Sequence, residues 1–285
     1  MASKPFQRPE RLENLYRVEI DRLMREYLSF PTTATLGEIN ARLVEFAHAK
    51  NFFKAFGQKM AKRMITQVAV SNALSWRQAA SQSSNGRIIY QMLRSETAAS
   101  NVVGMHIGQL INENATLITS VPQNVAAQLT RFIQEQQIKG LRSEAIVKMI
   151  GPKCAHLRRY EVARLARTQV AKADTAITRA RAQSIGLNWY QWHTSQDARV
   201  RDSHRKMNLV LVNWNDPPAP ELLVGEKSEG HYHAGNIWNC RCPAIPITSL
   251  ADISFPAKVY TNNSIRRLSK RQFVLLSGMP KELAA

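Results

Sequence analysis

Two short stretches hold most of the side chains that could do chemistry. One is Trp192-His193-Thr194-Ser195-Gln196-Asp197-Ala198-Arg199-Val200-Arg201-Asp202-Ser203-His204, the other Asn239-Cys240-Arg241-Cys242. Cys240 and Cys242, with His204, His231 or His233, are the thiolate and imidazole types that zinc takes tetrahedrally. The Cys-x-Cys spacing is shorter than that of most structural sites, however. The alternative is a pair of small buried thiols beside histidines bonded to backbone carbonyls. That second reading is preferred and needs no cofactor, so less than one zinc per chain is expected. The two thiols are too close in sequence for an unstrained mutual disulfide.

Asp197, Arg201 and His204 follow one another at steps of four and three. On a helical turn they would share a face, with Asp197 capping the turn and pairing with Arg201. Such a network is structural. A nuclease built on Asp197, His204 and the thiols would instead use a His-Asp pair and a metal to activate water. Asp202 is the single further carboxylate close by, and the capping reading is preferred. Trp189, Trp192, Trp214 and Trp238 could stack on bases, but tryptophans alternating along a strand are more simply core.

These groups need elements to position them. Before them lies a basic, alanine-rich helix over roughly 157–185, whose seam is Val162, Ala166, Val170, Ala173, Ile177 and Ala180, with Gly186 as its C-terminal cap. Small seam residues allow close approach of another element. A shorter helix from Ser143 is expected to stop at Gly151-Pro152. After Gly186 the period changes to two across Leu187–His193, a strand signature, and Met207–Trp214 is a second strand. Asn215-Asp216-Pro217-Pro218 closes it as a turn, and residues 219–236 read as irregular loop. Toward the N-terminus, amphipathic helices are expected over 6–30, from Thr35, over 49–80 and over 120–140. The predicted class is α+β: a mostly helical region 1–140, a module 141–250 of the long helix on a small antiparallel sheet, and a basic tail 251–285.

The chain has 285 residues, enough for a sizeable core, and carries 39 Lys and Arg against 21 Asp and Glu, a net charge of +18. The basic excess is 7, 7 and 4 across the three regions, so it is not confined to one tail. A solvated surface does not require that imbalance; a polyanion does, with nucleic acid ahead of an anionic membrane. No apolar run approaches the roughly twenty residues of a spanning helix. An odd number of cysteines and no leader-like N-terminus favour synthesis in a reducing, intracellular setting. The DNA-contact candidates are Arg158, Arg159, Arg164, Lys172, Arg179 and Arg181 on the long helix. Arg266, Arg267, Lys270 and Arg271, expected on a C-terminal helix, join them.

The combination Ala166-Arg167-Thr168, Trp192…Asp197-Ala198-Arg199-Val200-Arg201-Asp202-Ser203-His204 and Asn239-Cys240-Arg241-Cys242-Pro243 resembles the Mu F-like minor head proteins of tailed bacteriophages. The resemblance covers roughly residues 125–248. It implies a low-copy structural protein of the head, portal-associated and linked to DNA packaging, retention or delivery. It implies no enzyme activity. The implied partners are the portal protein and double-stranded phage DNA, with scaffolding or major capsid protein as further ones, and no membrane. The implied location is the head interior near the portal, and the host cytoplasm during assembly. The motif network would be Arg167, Thr168, Trp192, Asp197, Arg201, His204, Asn239 and Arg241, with Arg167 reaching Asp174 or Asp197. Asn208 stands where relatives often carry glycine, and is expected to take a positive φ. A DNA-binding protein of the host cell, with no virion role, is the remaining competitor.

Overall fold

The computed structural model describes residues 5–278 apart from 32, 50, 84 and 100. By packing, the chain forms two compact units that interleave in sequence. One comprises residues 10–65 and 109–169; the other takes 66–108, the described residues from 170 onward, and those before Glu10. This differs from a linear division at 140 and 250. The long helix is not broken at Pro152, and the segment after 251 is not a tail.

The first unit is helical. It contains α1 (Glu10–Tyr27), α2 (Leu36–Ala47), the first part of α3 (Lys54–Gln82), the end of α5 (Asn101–Thr119), α6 (Val121–Ile138) and the start of α7 (Ser143–Ser184). Helix α2 starts where Thr35 and Glu38 exchange side-chain and backbone hydrogen bonds, a capping box. Its core includes Tyr16, Ile20, Met24, Ile39, Leu43 and Phe46, all buried. The amphipathic spacing of the sequence is therefore realised as helix packing.

Helix α7 runs 42 residues without interruption and carries Pro152 inside it. The expected stop at Gly151-Pro152 does not occur. Proline removes one backbone donor and crowds the preceding turn, but the buried line Ile146, Ile150, Cys154, Leu157 continues across it. Packing of that line outweighs the local cost. The helix ends as expected: Gly186 has φ +76°, and the Leu187 amide donates back to the Ala182 carbonyl.

The second unit is built on a five-stranded sheet of order β3-β1-β2-β4-β5. Its strands are β1 (Trp189–Trp192), β2 (Val210–Asn213), β3 (Ala244–Pro246), β4 (Ala257–Thr261) and β5 (Ser264–Leu268). The α+β class holds, but the sheet is mixed: β2 and β4 run parallel while the other pairings are antiparallel. A parallel neighbour needs a long crossover, and the excursion through β3 and the turn at Leu250 supplies it. Both faces are covered. Tyr190, Trp192, Val210 and Val212 pack with Trp76, Ala182 and Trp214 on one side. Trp189, Leu211, Val259 and Phe273 pack on the other. Alternation along β1 thus reports two buried faces rather than one wet and one dry. Helix α4 (Gly86–Ala99) also belongs to this unit, and α8 (Asp202–Lys206) follows the motif loop.

Residues 251–278 are integral to the unit. Asn262 and Asn263 both have positive φ, the geometry of a two-residue hairpin turn, and they join β4 to β5 in register Lys258↔Arg267 and Val259↔Arg266. Arg266 and Arg267 therefore lie on a strand, not on the expected helix. Lys270 and Arg271 open α9 (Lys270–Ser277) after a Ser269–Gln272 capping box.

Candidate functional site

The motif loop is held by β1 on one side and α8 on the other. His204 lies on α8, buried to 2% exposure, and Cys240 and Cys242 are equally enclosed. The His204 Nδ1 is 3.6 Å from Cys240 Sγ and 3.5 Å from Cys242 Sγ. Its other nitrogen, Nε2, is 3.0 Å from the Tyr232 hydroxyl, which donates to Glu221 Oε1. Ser203 Oγ donates to that carboxylate at 3.4 Å. Because the tyrosine proton is committed to Glu221, His204 must donate from Nε2, and its Nδ1 lone pair faces the sulfurs.

Two backbone amides, those of Gly235 and Cys242, point at Cys240 Sγ at 3.4 Å. Gly235 has φ +86°, and a Cβ there would fall 2.5 Å from Thr175 Oγ1, so glycine is required for the amide to reach the sulfur. Hydrogen bonding, first from Cys242, holds the Cys240 thiol well below its ordinary range despite burial. Cys242 is raised in turn, first by its bond to Cys240 and then by desolvation. The pair thus favours one thiolate and one thiol.

The segment 215–238, irregular in sequence, delivers Glu221 and Tyr232 to this cluster. A 3₁₀ turn over Pro220–Val224 buries Glu221, and the Tyr232 amide donates to the Pro218 carbonyl. His233 and His231 are elsewhere. His233 Nδ1 contacts the Tyr190 hydroxyl at 3.2 Å, and burial, then the Arg179 charge, lowers its pKa to about 4. His231 is exposed and bonds the Pro217 carbonyl. Of the five candidate ligands, His204, Cys240 and Cys242 converge, with ligand atoms all within 4.8 Å of one another.

Around this cluster, Asp197 is clamped by Arg241 through both carboxylate oxygens, one at 2.7 Å. It also accepts from the Arg199 amide at 2.9 Å. Arg241 is the leading reason that its pKa falls to about 2. The expected pairing with Arg201 is not made. Residues 197–200 form a turn, and Arg201 is extended (φ −59°, ψ 148°), so no helical face carries Asp197, Arg201 and His204 together. Arg201 instead donates to the Trp238 carbonyl at 2.8 Å.

The profile of the family described as Phage Mu protein F like protein matches residues 123–245. Residues 123–245 are similar to that Mu F-like family. A relative from Haemophilus influenzae (strain ATCC 51907 / DSM 11121 / KW20 / Rd), described as an uncharacterized protein, is 26% identical over 144 residues. Those residues are 50% of this chain and 29% of the relative, so the chain spans less than a third of that relative's length. No solved structure matches.

Within the matched segment the motif residues separate into distinct contacts. Thr168 is fully buried on α7. Arg167 pairs with Glu13, its Nε 3.4 Å from Oε1, rather than with Asp174 or Asp197. Asp174 accepts from Asn72 at 2.8 Å, and burial raises its pKa to about 6. Trp192 is core, fully enclosed, with its ring 5.3 Å from that of His204. Asn239 takes φ +60°, which asparagine tolerates well, and lets the chain turn into Cys240. Asn208 does not adopt a positive φ; its neighbour Leu209 does, at +62°. Asn208 Oδ1 instead accepts from the amide and hydroxyl of Thr194, both at 3.1 Å.

The basic candidates also divide. Arg158 is buried, bonded to the carboxylate and carbonyl of Asp21. Arg181 is buried and donates to Asn72 and to the Ala69 carbonyl. Neither can meet a polyanion; each neutralises or satisfies groups of its own unit. Arg164 pairs with Glu161, and half-buried Lys172 sits over the exposed Trp238 ring at 5.6 Å. Arg179 is half-buried against Gln183, and Arg159 is exposed. Arg266, Arg267, Lys270 and Arg271 are all exposed. A groove of about 560 Å³ is lined by Arg205, Lys206, Lys258 and Arg267, with Asp202, Val224 and Ile265. The first three of these cations were missed from sequence. For Lys258 the signal was the β4–β5 register set by the Asn262-Asn263 turn; Arg205 and Lys206 lie on α8.

Proposed function

We propose that the chain is a structural minor head protein of a tailed bacteriophage, acting beside the portal and holding packaged double-stranded DNA without reading its sequence. The cationic groove carries the DNA part of this reading. Lys258 and Arg267 face one another directly across the β4–β5 pair, and like charges in such a pair cost roughly 0.2–1 kcal/mol. With Arg205 and Lys206 on the same wall, one acidic residue beside them is a minority of the charge. Phosphates supply the missing counter-charge. The portal contact, and any contact with scaffolding or major capsid protein, rests on the family resemblance alone.

A nuclease built on the motif is disfavoured by what its residues already do. Both Asp197 oxygens are engaged by Arg241, and His204 is enclosed between two sulfurs and Tyr232. Neither is presented to a phosphodiester. The test is duplex DNA binding measured against salt for the wild type and for Arg205→Ala/Lys206→Ala/Lys258→Ala/Arg267→Ala. Each lost phosphate contact lowers the slope of log K on log salt by about 0.9, so the fourfold variant should lose about 3.6 of that slope. An unchanged slope, or DNA cleavage abolished by His204→Ala, contradicts the proposal.

A further inference from the structure

We propose that His204, Cys240 and Cys242 bind one zinc ion, with His204 ligating through Nδ1 while Tyr232 and Glu221 keep its proton on Nε2. The distances agree with the ion. Zinc bonds of about 2.3 Å to sulfur and about 2.0–2.1 Å to nitrogen, at a tetrahedral angle, set sulfur and nitrogen about 3.6 Å apart. Both nitrogen–sulfur separations here are 3.5–3.6 Å. Without a metal the same two distances require an Nδ1 proton shared between both sulfurs, whereas His204 protonated on Nε2 presents a lone pair there. A metal accounts for both at once.

The hydrogen bonds behind the ligands point the same way. Ligating histidines donate their other nitrogen to an oxygen that fixes the tautomer and ring plane. Here that oxygen is the Tyr232 hydroxyl, itself donating to buried Glu221. The amides of Gly235 and Cys242 converge on Cys240 Sγ, as donors do around a thiolate. Two thiolates and a divalent ion make a neutral set, so burial carries no net charge penalty. Ion uptake releases the thiol protons to solvent. Among the described residues no fourth His, Cys, Asp or Glu joins the group, and a water molecule takes the remaining position. Both thiols and the imidazole are under 5% exposed, so the site is a staple joining α8, the 239–242 turn and, through Tyr232, the 215–238 segment.

This inference is independent of the DNA reading. The full chain, produced in zinc-supplemented medium and passed through a desalting column, is assayed for metal by mass spectrometry. About one zinc per chain is expected, and none in Cys240→Ser/Cys242→Ser. Cobalt replacing zinc should give a thiolate-to-cobalt charge-transfer band in the wild type. Tyr232→Phe should keep the band and weaken affinity about 10–100-fold. Zinc-free wild-type protein without the cobalt band overturns the proposal even if the double variant fails to fold. So does zinc retained at full stoichiometry by a folded double variant.

Discussion

Asp197 and Leu209 show how much of the motif is settled one side chain at a time. Arg241 lowers the Asp197 pKa to about 2, below its unfolded value of about 3.9. A carboxylate with a depressed folded pKa contributes stability above its unfolded pKa and loses it as pH falls toward the folded one. We therefore expect the melting-temperature gap between wild type and Asp197→Asn to be constant above about pH 5 and to close between about pH 4 and pH 2. A gap that stays open at pH 2 would remove the ion pair from the account. Leu209 takes a left-handed conformation that costs a branched side chain about 1–2 kcal/mol, and it is nearly half exposed. Leu209→Gly should raise the melting temperature by a few degrees, read by calorimetry; a fall would mean that the leucine side chain contributes more than its backbone costs. The left-handed site was legible in the sequence only to within one residue. Asn208 is the better left-handed residue, but its side chain is recruited by Thr194, and the conformation passes to the next position.

At the scale of elements, the sequence disclosed what periodicity and caps encode. A helix starting at Thr35, Gly186 as a stop and the alternation around Trp189–Trp192 all appear in the fold. What it hid are pairings across distance. Pro152 is a strong local stop, and only the buried line from Ile146 to Leu157 shows why the helix ignores it. The β4–β5 hairpin was hidden because Ser264–Leu268 carries two arginines where a buried strand would carry valines, and both point to solvent. The ligand set was legible as five candidates. Choosing His204 over His231 and His233 required the path of residues 215–238, which turns those two histidines to Pro217 and Tyr190. If the zinc staple is present, chelation of the wild-type chain should destabilise this unit far more than any single surface variant, by ~10 °C or more.

For the whole molecule, charge is the property that outlives the local corrections. Removing Arg158 and Arg181 from the exposed set leaves Arg159, Arg266, Arg267, Lys270, Arg271 and the groove cations facing solvent. The net charge of +18 is therefore carried to a large extent by a surface, where it raises the local concentration of a polyanion and repels copies of itself. Part of this charge is independent of the Mu F-like match, since Lys258 and Arg266–Arg271 lie beyond the matched 123–245. The most direct test is to count this chain in purified, DNA-filled heads of the phage that encodes it and to locate it by imaging. The account predicts a low, fixed copy number inside the shell, at the portal vertex and against DNA density. A chain missing from mature heads while abundant in the infected cell would contradict it.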